Sequence, residues 1–129
     1  MHTALLVVAV AILAIHGLIH LMGTTVYMKL GKIEELPYKT TLVGGRWELG
    51  ESGIRVFGAL WVVPALGFVL GALALAMGWD WWRPLVVGVA VVSLILTVLD
   101  CGVAYAGAIT NAVILAVVLL GPSLWSTLS

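Results

Sequence analysis

Long apolar runs separated by short polar stretches dominate this chain. The first run extends from residue 3 to about residue 22, and the second from residue 53 to residue 77. At about 1.5 Å per helical residue, a run of about 20 residues crosses the hydrocarbon core of a bilayer, which is about 30 Å thick. Each run therefore predicts one transmembrane helix, with Pro64 as the expected kink in the second.

The last apolar stretch, from Leu85 to Leu120, is too long for one crossing, because as a single helix it would measure roughly 54 Å. Asp100 and Gly102 mark the expected break, which predicts spans at about 84–100 and 105–121. The sequence thus predicts an all-α membrane protein of one domain, 1–129. It is a four-transmembrane-helix bundle with one long connection, 24–49, between helices 1 and 2.

Composition supports a membrane protein and excludes several other classes. Hydrophobic residues make up 63% of the chain and charged residues 9%, which lies outside the range of soluble domains. The six basic residues balance the six acidic ones, so no basic surface is available for nucleic acid. Cys101 is the single cysteine and cannot form an intrachain disulfide. The first run is longer than a signal-peptide core, and we expect it to be a retained span.

The distribution of positive charge predicts the orientation in the membrane. Five basic residues belong to the side that holds the long connection: Lys29, Lys32, Lys39, Arg46 and Arg55. Only Arg83 belongs to the other side. The positive-inside rule then places the connection in the cytoplasm and both termini outside. Aromatic residues agree with an even number of crossings: Trp79, Trp81, Trp82 and Trp125 fall at one interface, and Tyr27, Tyr38, Trp47 and Tyr105 at the other.

Polar residues within the spans are the candidate functional groups. His16 and His20 are four residues apart in the first span, so their side chains share one helix face. Ionisable groups at membrane depth are costly and usually have a function. We expect six polar residues from the four helices to converge near the connection as a candidate ligand-binding site: His16, His20, Glu51, Arg55, Asp100 and Asn111.

Each of these residues also has a plainer interpretation. The histidines can be core imidazoles that bond a carbonyl or a carboxylate. Glu51 and Arg55 can form an intrahelical ion pair. Asp100 can be a turn residue, and Asn111 can hydrogen-bond a neighbouring helix. The sequence leaves these alternatives open.

His16 and His20 are also candidate metal ligands, and a divalent metal is the cofactor they would suit. Glu51 or Asp100 could complete a zinc ligand set. Gly17 occupies the place of the glutamate in His-Glu-x-x-His, so hydrolytic zinc chemistry has no motif support. Haem would need a histidine from a facing helix, and therefore a dimer.

Two segments carry a resemblance to a known group of proteins. Residues 15–23, IHGLIHLMG, read with Asp100 and residues 107–115, GAITNAVIL, resemble a widespread group of small bacterial four-span membrane proteins, some of them loosely labelled as transporter permeases. The resemblance covers most of the chain in outline, and the central connection is distinctive to this protein. It implies a bacterial inner-membrane location and a four-helix bundle, and it implies no activity.

Three functions remain as hypotheses. The first is a non-catalytic binding or accessory protein, whose polar pocket near the long connection holds a small ligand or docks a partner. The second is a metal-dependent or quinone- or lipid-dependent membrane enzyme that uses His16 and His20. The third is a small proton-coupled transporter that acts as a dimer. The expected partners are the lipid bilayer and a second copy or a larger membrane complex, with no nucleic acid.

Overall fold

The computed structural model describes residues 3–128, without the side chains of Cys101 and of residues 122–128. Its elements follow the chain as α1 (Thr3–Tyr27), β1 (Thr41–Leu42), β2 (Trp47–Glu48), α2 (Gly50–Leu60), α3 (Val62–Met77), α4 (Trp82–Leu99) and α5 (Cys101–Leu128). Four segments of the described chain are long and apolar enough to cross a membrane: α1, α2 with α3, α4, and α5 from Gly102 to Gly121. The predicted four-helix membrane bundle is confirmed, and the chain is a multi-pass membrane protein.

The second span is interrupted near its middle. Trp61 separates α2 from α3, and its N–H donates to the Gly58 carbonyl three residues back. Pro64 explains the interruption, because it has no N–H for the Leu60 carbonyl and its ring crowds that carbonyl. The kink turns Trp61 into the bundle, where its side chain is buried.

Close contact between α1 and α3 depends on two glycines of α1. A Cβ atom on Gly17 would lie 2.9 Å from both the Ala65 carbonyl oxygen and Phe68 Cβ. A Cβ atom on Gly23 would lie 2.9 Å from the indole of Trp61. Small residues at these positions let the helix backbones approach, which is a common source of packing energy in membranes.

Buried apolar side chains form two clusters along the bundle. The cluster farther from the connection comprises Leu13, Phe68, Ala72, Leu75, Val86, Val89, Ala90 and Ile114. The cluster at the connection end comprises Val26, Tyr27, Leu42, Ile54, Phe57, Trp61 and Leu96. Leu42 belongs to the hairpin of β1 and β2, so the connection is packed onto the bundle. The Val43 N–H also donates to the Leu99 carbonyl at 2.9 Å.

The long connection differs from the sequence expectation in two respects. Helix α1 continues to Tyr27, although its apolar run predicts an end near residue 22. Tyr27 is 1% exposed and belongs to the core rather than to an interfacial belt. The sequence also did not predict the hairpin, in which Gly44 and Gly45 adopt positive φ angles that suit a tight turn. The side chain of Trp125, assigned to the opposite belt, lies outside the described residues.

The last two helices are separated at Asp100, where the sequence placed the break. Asp100 has non-helical backbone angles, and α5 begins at the next residue. A second irregularity follows at Ala104, with φ −105° and ψ 20° inside α5. This bend lies beside the cavity described below.

Candidate functional site

The two histidines of α1 belong to a closed set of hydrogen bonds that joins three helices. His16 Nε2 lies 2.9 Å from Asn111 Oδ1 on α5. Asn111 Nδ2 donates to Ser93 Oγ on α4 at 2.7 Å, and Ser93 Oγ lies 2.5 Å from His20 Nε2. His20 Nδ1 lies 2.6 Å from the His16 carbonyl oxygen, which closes the set. We call these four residues the hydrogen-bond cycle.

The backbone carbonyl of His16 determines the direction of every bond in this cycle. A carbonyl only accepts, so His20 Nδ1 carries the proton and a neutral His20 offers Nε2 as an acceptor. Ser93 must then donate to His20, and its oxygen accepts from the Asn111 amide. The Asn111 oxygen is left to accept, so His16 carries its proton on Nε2. A charged imidazole at this depth would be costly, and with both rings neutral these bonds require opposite tautomers.

All members of the cycle are shielded from the surroundings. Ser93 and Asn111 are 0% exposed, His20 is 2% exposed and His16 is 7% exposed. Polar groups at membrane depth need hydrogen-bond partners within the protein, because no water is present there to bond them. Thr97 extends the cycle, since its Oγ1 lies 3.5 Å from Asn111 Nδ2 and donates to the Leu94 carbonyl. The histidines and Asn111 thus bring together the polar groups of α1, α4 and α5.

A second cluster surrounds Asp100 at the connection end of the bundle. Asp100 is 1% exposed. One of its carboxylate oxygens accepts a hydrogen bond from the Tyr27 hydroxyl, and the other is paired with the Lys39 ammonium. Lys39 belongs to the connection, so this buried ion pair fastens the connection to the start of α5. Asp100 is more than a turn residue, because it anchors two distant parts of the chain.

The remaining two candidates lie apart from these clusters. Glu51 and Arg55 are exposed. Glu51 pairs with Lys29 at 3.0 Å, across the connection, rather than with Arg55 in its own helix. This hydrogen bond raises the pKa of the Lys29 ammonium above its ordinary value. A surface ion pair of this kind contributes little to stability. The structure therefore does not bring Glu51 and Arg55 to the histidines.

A cavity of about 300 Å³ lies between α1 and α5, next to the hydrogen-bond cycle. His16 and His20 form part of its α1 wall, and its α5 wall comprises residues of small size such as Ala106 and Gly107. Thr97 and Asp100 contribute at the end of α4, and Glu35 and Leu36 of the connection cover one end. Four of the six sequence-predicted residues are thus associated with this cavity, and three of them line it.

Trp61 contributes a buried, unpaired donor to the site. Its side chain lines the cavity and is 6% exposed. Among the described residues, its Nε1 is the buried side-chain donor for which no hydrogen-bond partner exists. A buried donor without a partner costs about 1–3 kcal/mol. The indole lies 5.4 Å from the His20 ring, measured between centroids.

The depth of the histidines follows from the length of α1. This helix has 25 residues and is therefore about 37 Å long. His20 lies about 10 Å and His16 about 16 Å from its end at Tyr27. His16 is accordingly near the middle of the helix.

The geometry gives little support to metal binding by the histidines. Both ring nitrogens of His20 are engaged within the protein, and so is Nε2 of His16. Within residues 3–128, apart from the undescribed side chains, no three His, Cys, Asp or Glu groups come together as a metal ion requires. Asp100 faces a lysine and a tyrosine instead.

Sequence reasoning did not identify five residues that shape this site: Tyr27, Lys39, Trp61, Ser93 and Thr97. Serine and threonine are frequent in membrane helices, so nothing in the sequence distinguishes Ser93 and Thr97 from ordinary packing residues. Pro64 is the sequence feature that could have indicated Trp61. A proline kink changes the direction of the helix, so a residue of the preceding turn contacts a different neighbour.

Apart from the exposed Glu35 at the connection end, the site is a polar wall without net charge beside a partly apolar cleft. The imidazoles are bonded to other members of the cycle, and Lys39 balances the charge of Asp100. Such a site can hold a small molecule through hydrogen bonds and apolar contacts. Comparison of the chain with protein-family models, with curated proteins and with solved structures finds no match among any of them.

Proposed function

We propose that this membrane protein binds a small ligand, without catalysing a reaction, in the cavity between α1 and α5. The observation that carries the proposal is the cavity itself, whose volume of about 300 Å³ is at the small end of the range for small-molecule sites. Apolar walls with a few polar groups at fixed positions are characteristic of binding sites. His16, His20 and Trp61 supply those groups here.

The bonding of the histidines favours binding over catalysis. A general acid or base must exchange a proton with its substrate. In the hydrogen-bond cycle, the N–H group of each imidazole already donates a hydrogen bond to an oxygen atom of the protein. Chemistry at His20 would require the Ser93 or His16 contact to break first. His20 is therefore better suited to form a fixed wall than to transfer protons, and His16 has only its Nδ1 atom outside the cycle.

We further propose the bacterial inner membrane as the location, with the connection 24–49 in the cytoplasm. The excess of basic residues on that side supports the orientation, and the resemblance of residues 15–23 and 107–115 to bacterial membrane proteins supports the location. Single cysteines placed at Glu34 and at Asp80, each in a Cys101→Ser background, test this. A membrane-impermeant maleimide added to intact cells is expected to label the Asp80→Cys chain and not the Glu34→Cys chain. The reverse labelling would refute the orientation.

The binding proposal is tested by filling the cavity. Ala106 and Ala112 are both exposed residues of α5, but only Ala106 lines the cavity. Native mass spectrometry of the wild type and of Ala112→Phe is expected to show the same copurified small molecule, whereas Ala106→Phe loses it. A bound mass that survives in Ala106→Phe, or a wild type without any, would contradict the proposal. A copurified protein beside an empty cavity would indicate a docking role instead.

A further inference from the structure

We propose that the ligand of this cavity is a neutral amphiphile, with an oxygen acceptor in its head group that receives the Trp61 N–H and an apolar tail that leaves the cleft toward the lipid. This inference rests on the proposed binding function and deepens it. Two sources offer the required chemistry: the carbonyl of a quinone and the ester carbonyl of an uncharged glyceride.

The charges around the cavity favour a neutral head group. Burial at membrane depth favours the uncharged form of both histidines, whose N–H groups the hydrogen-bond cycle pairs with oxygen atoms. The carboxylate of Asp100 is balanced by Lys39 and bonded by Tyr27. The buried part of the wall therefore offers no unpaired opposite charge to an anionic or a cationic ligand, and the exposed Glu35 at the connection end further disfavours an anion. A charged head would lose its hydration there without compensation.

The position of the cleft favours an apolar tail. Ile19 and Val103 line the cavity, and both are also exposed on the outer surface of membrane-spanning helices. That surface faces acyl chains in a bilayer. The cleft is thus open between α1 and α5 to the interior of the membrane. A ligand that enters by this route must itself dissolve among acyl chains.

The indole of Trp61 favours an acceptor in the head group. Its N–H lacks a partner among the described residues, although the other buried polar side chains nearby are paired. An indole offers a donor and no acceptor. Trp61 lines the cavity but its Nε1 is itself inaccessible, so the ring must rotate toward the cleft for the bond to form. An oxygen acceptor in the cleft would then satisfy the donor that the folded protein leaves unpaired.

The test measures binding of defined probes by native mass spectrometry of the purified full-length protein. Decylubiquinone and dioctanoylglycerol represent the two sources, dodecane is the probe without a head group, and decanoate is the charged probe. We expect one or both carbonyl probes to bind with a stoichiometry of one, and decanoate to bind at least tenfold more weakly. Either carbonyl probe supports the inference, and the tighter of the two identifies the source.

Trp61→Phe is the decisive variant, since it removes the N–H donor and keeps an aromatic ring, although a smaller one, at the same position. We expect it to weaken binding of the carbonyl probe about three- to tenfold, as for the loss of one hydrogen bond. Binding of dodecane should not change, which separates a lost bond from a damaged cleft. Trp82→Phe, at the other end of the bundle, is the matched control and should leave both affinities unchanged.

The outcomes distinguish this inference from the proposal beneath it. Carbonyl binding that Ala106→Phe abolishes but Trp61→Phe leaves intact would overturn the inference and keep the binding function. Decanoate binding as tightly as the carbonyl probes would do the same. If none of the four probes binds while a copurified molecule is still lost in Ala106→Phe, the ligand class is wrong. If no probe binds and nothing copurifies, both proposals fail.

Discussion

The contact between His16 and Asn111 allows a quantitative test of the hydrogen-bond cycle. The two side chains meet at 2.9 Å and are nearly inaccessible. Asn111→Leu removes the acceptor and leaves the His16 N–H unpaired at membrane depth. A membrane hydrogen bond contributes about 0.6 kcal/mol on average, and an orphaned buried donor costs about 1–3 kcal/mol. We therefore expect Asn111→Leu to lower the free energy of unfolding by about 2 kcal/mol.

The double variant is expected to be less damaging than the sum of the single ones. His16→Leu alone leaves the Asn111 oxygen without its donor and should cost about 1–2 kcal/mol. With both replaced, neither orphan exists, so the coupling energy should reach about 1 kcal/mol or more. Unfolding in mixed micelles, followed by circular dichroism, measures the free energy of unfolding of the wild type, both single variants and the double variant, which together form a double-mutant cycle.

A control pair and a clear refutation accompany this measurement. Met77 is 60% exposed in α3, near the end of the bundle away from the connection. Met77→Ala should combine additively with Asn111→Leu, within about 0.5 kcal/mol. If His16→Leu and Asn111→Leu were equally additive, the contact would carry no energy, and the claim that the hydrogen-bond cycle stabilises the bundle would be refuted.

Three further predictions follow from the same contacts. In ¹⁵N NMR spectra, the two histidines of the cycle should be neutral and of opposite tautomer near neutral pH, the deeper one protonated on Nε2; a shared tautomer would contradict the bonding. Gly17→Ala should lower the free energy of unfolding by about 1–3 kcal/mol, whereas Gly88→Ala, with open space around it, should not. Lys39→Met should destabilise by about 2–3 kcal/mol because it orphans a buried carboxylate, and adding Asp100→Asn should recover most of the loss, as thermal unfolding would show.

The spans could be predicted from the sequence because length and apolarity dominate folding in a bilayer. A backbone in lipid must satisfy its own hydrogen bonds, so an apolar run of the right length has few alternatives to a helix. The break at Asp100 followed from the same arithmetic. The end of α1 could not be predicted in this way. Thr24 is polar, but it is buried and its hydroxyl donates to the Gly58 carbonyl. A tertiary partner extended the helix beyond its apolar run.

The site was only partly predictable, for a related reason. Helical spacing places His16 and His20 on one face, and a lone asparagine at membrane depth must find a partner, so these three residues stand out in the sequence. Which groups they meet depends on how α4 packs against α1 and α5. Glu51 illustrates the converse: its helical neighbour Arg55 is the obvious partner, yet the folded connection brings Lys29 to it. Long-range packing decided each of these pairings.

The two polar clusters differ in what they can contribute to binding. The Asp100 cluster holds the connection over one end of the cleft, while the hydrogen-bond cycle immobilises one wall. A wall whose side chains are already ordered reduces the entropy lost when a ligand binds. Ser93 and Asn111 are fully buried behind the histidines, so their contribution to affinity would act through the orientation of His16 and His20. Trp61 is the exception, because its donor is not used by the fold. An ordered wall with one unused donor is the arrangement expected of a site whose last hydrogen bond is completed by its ligand.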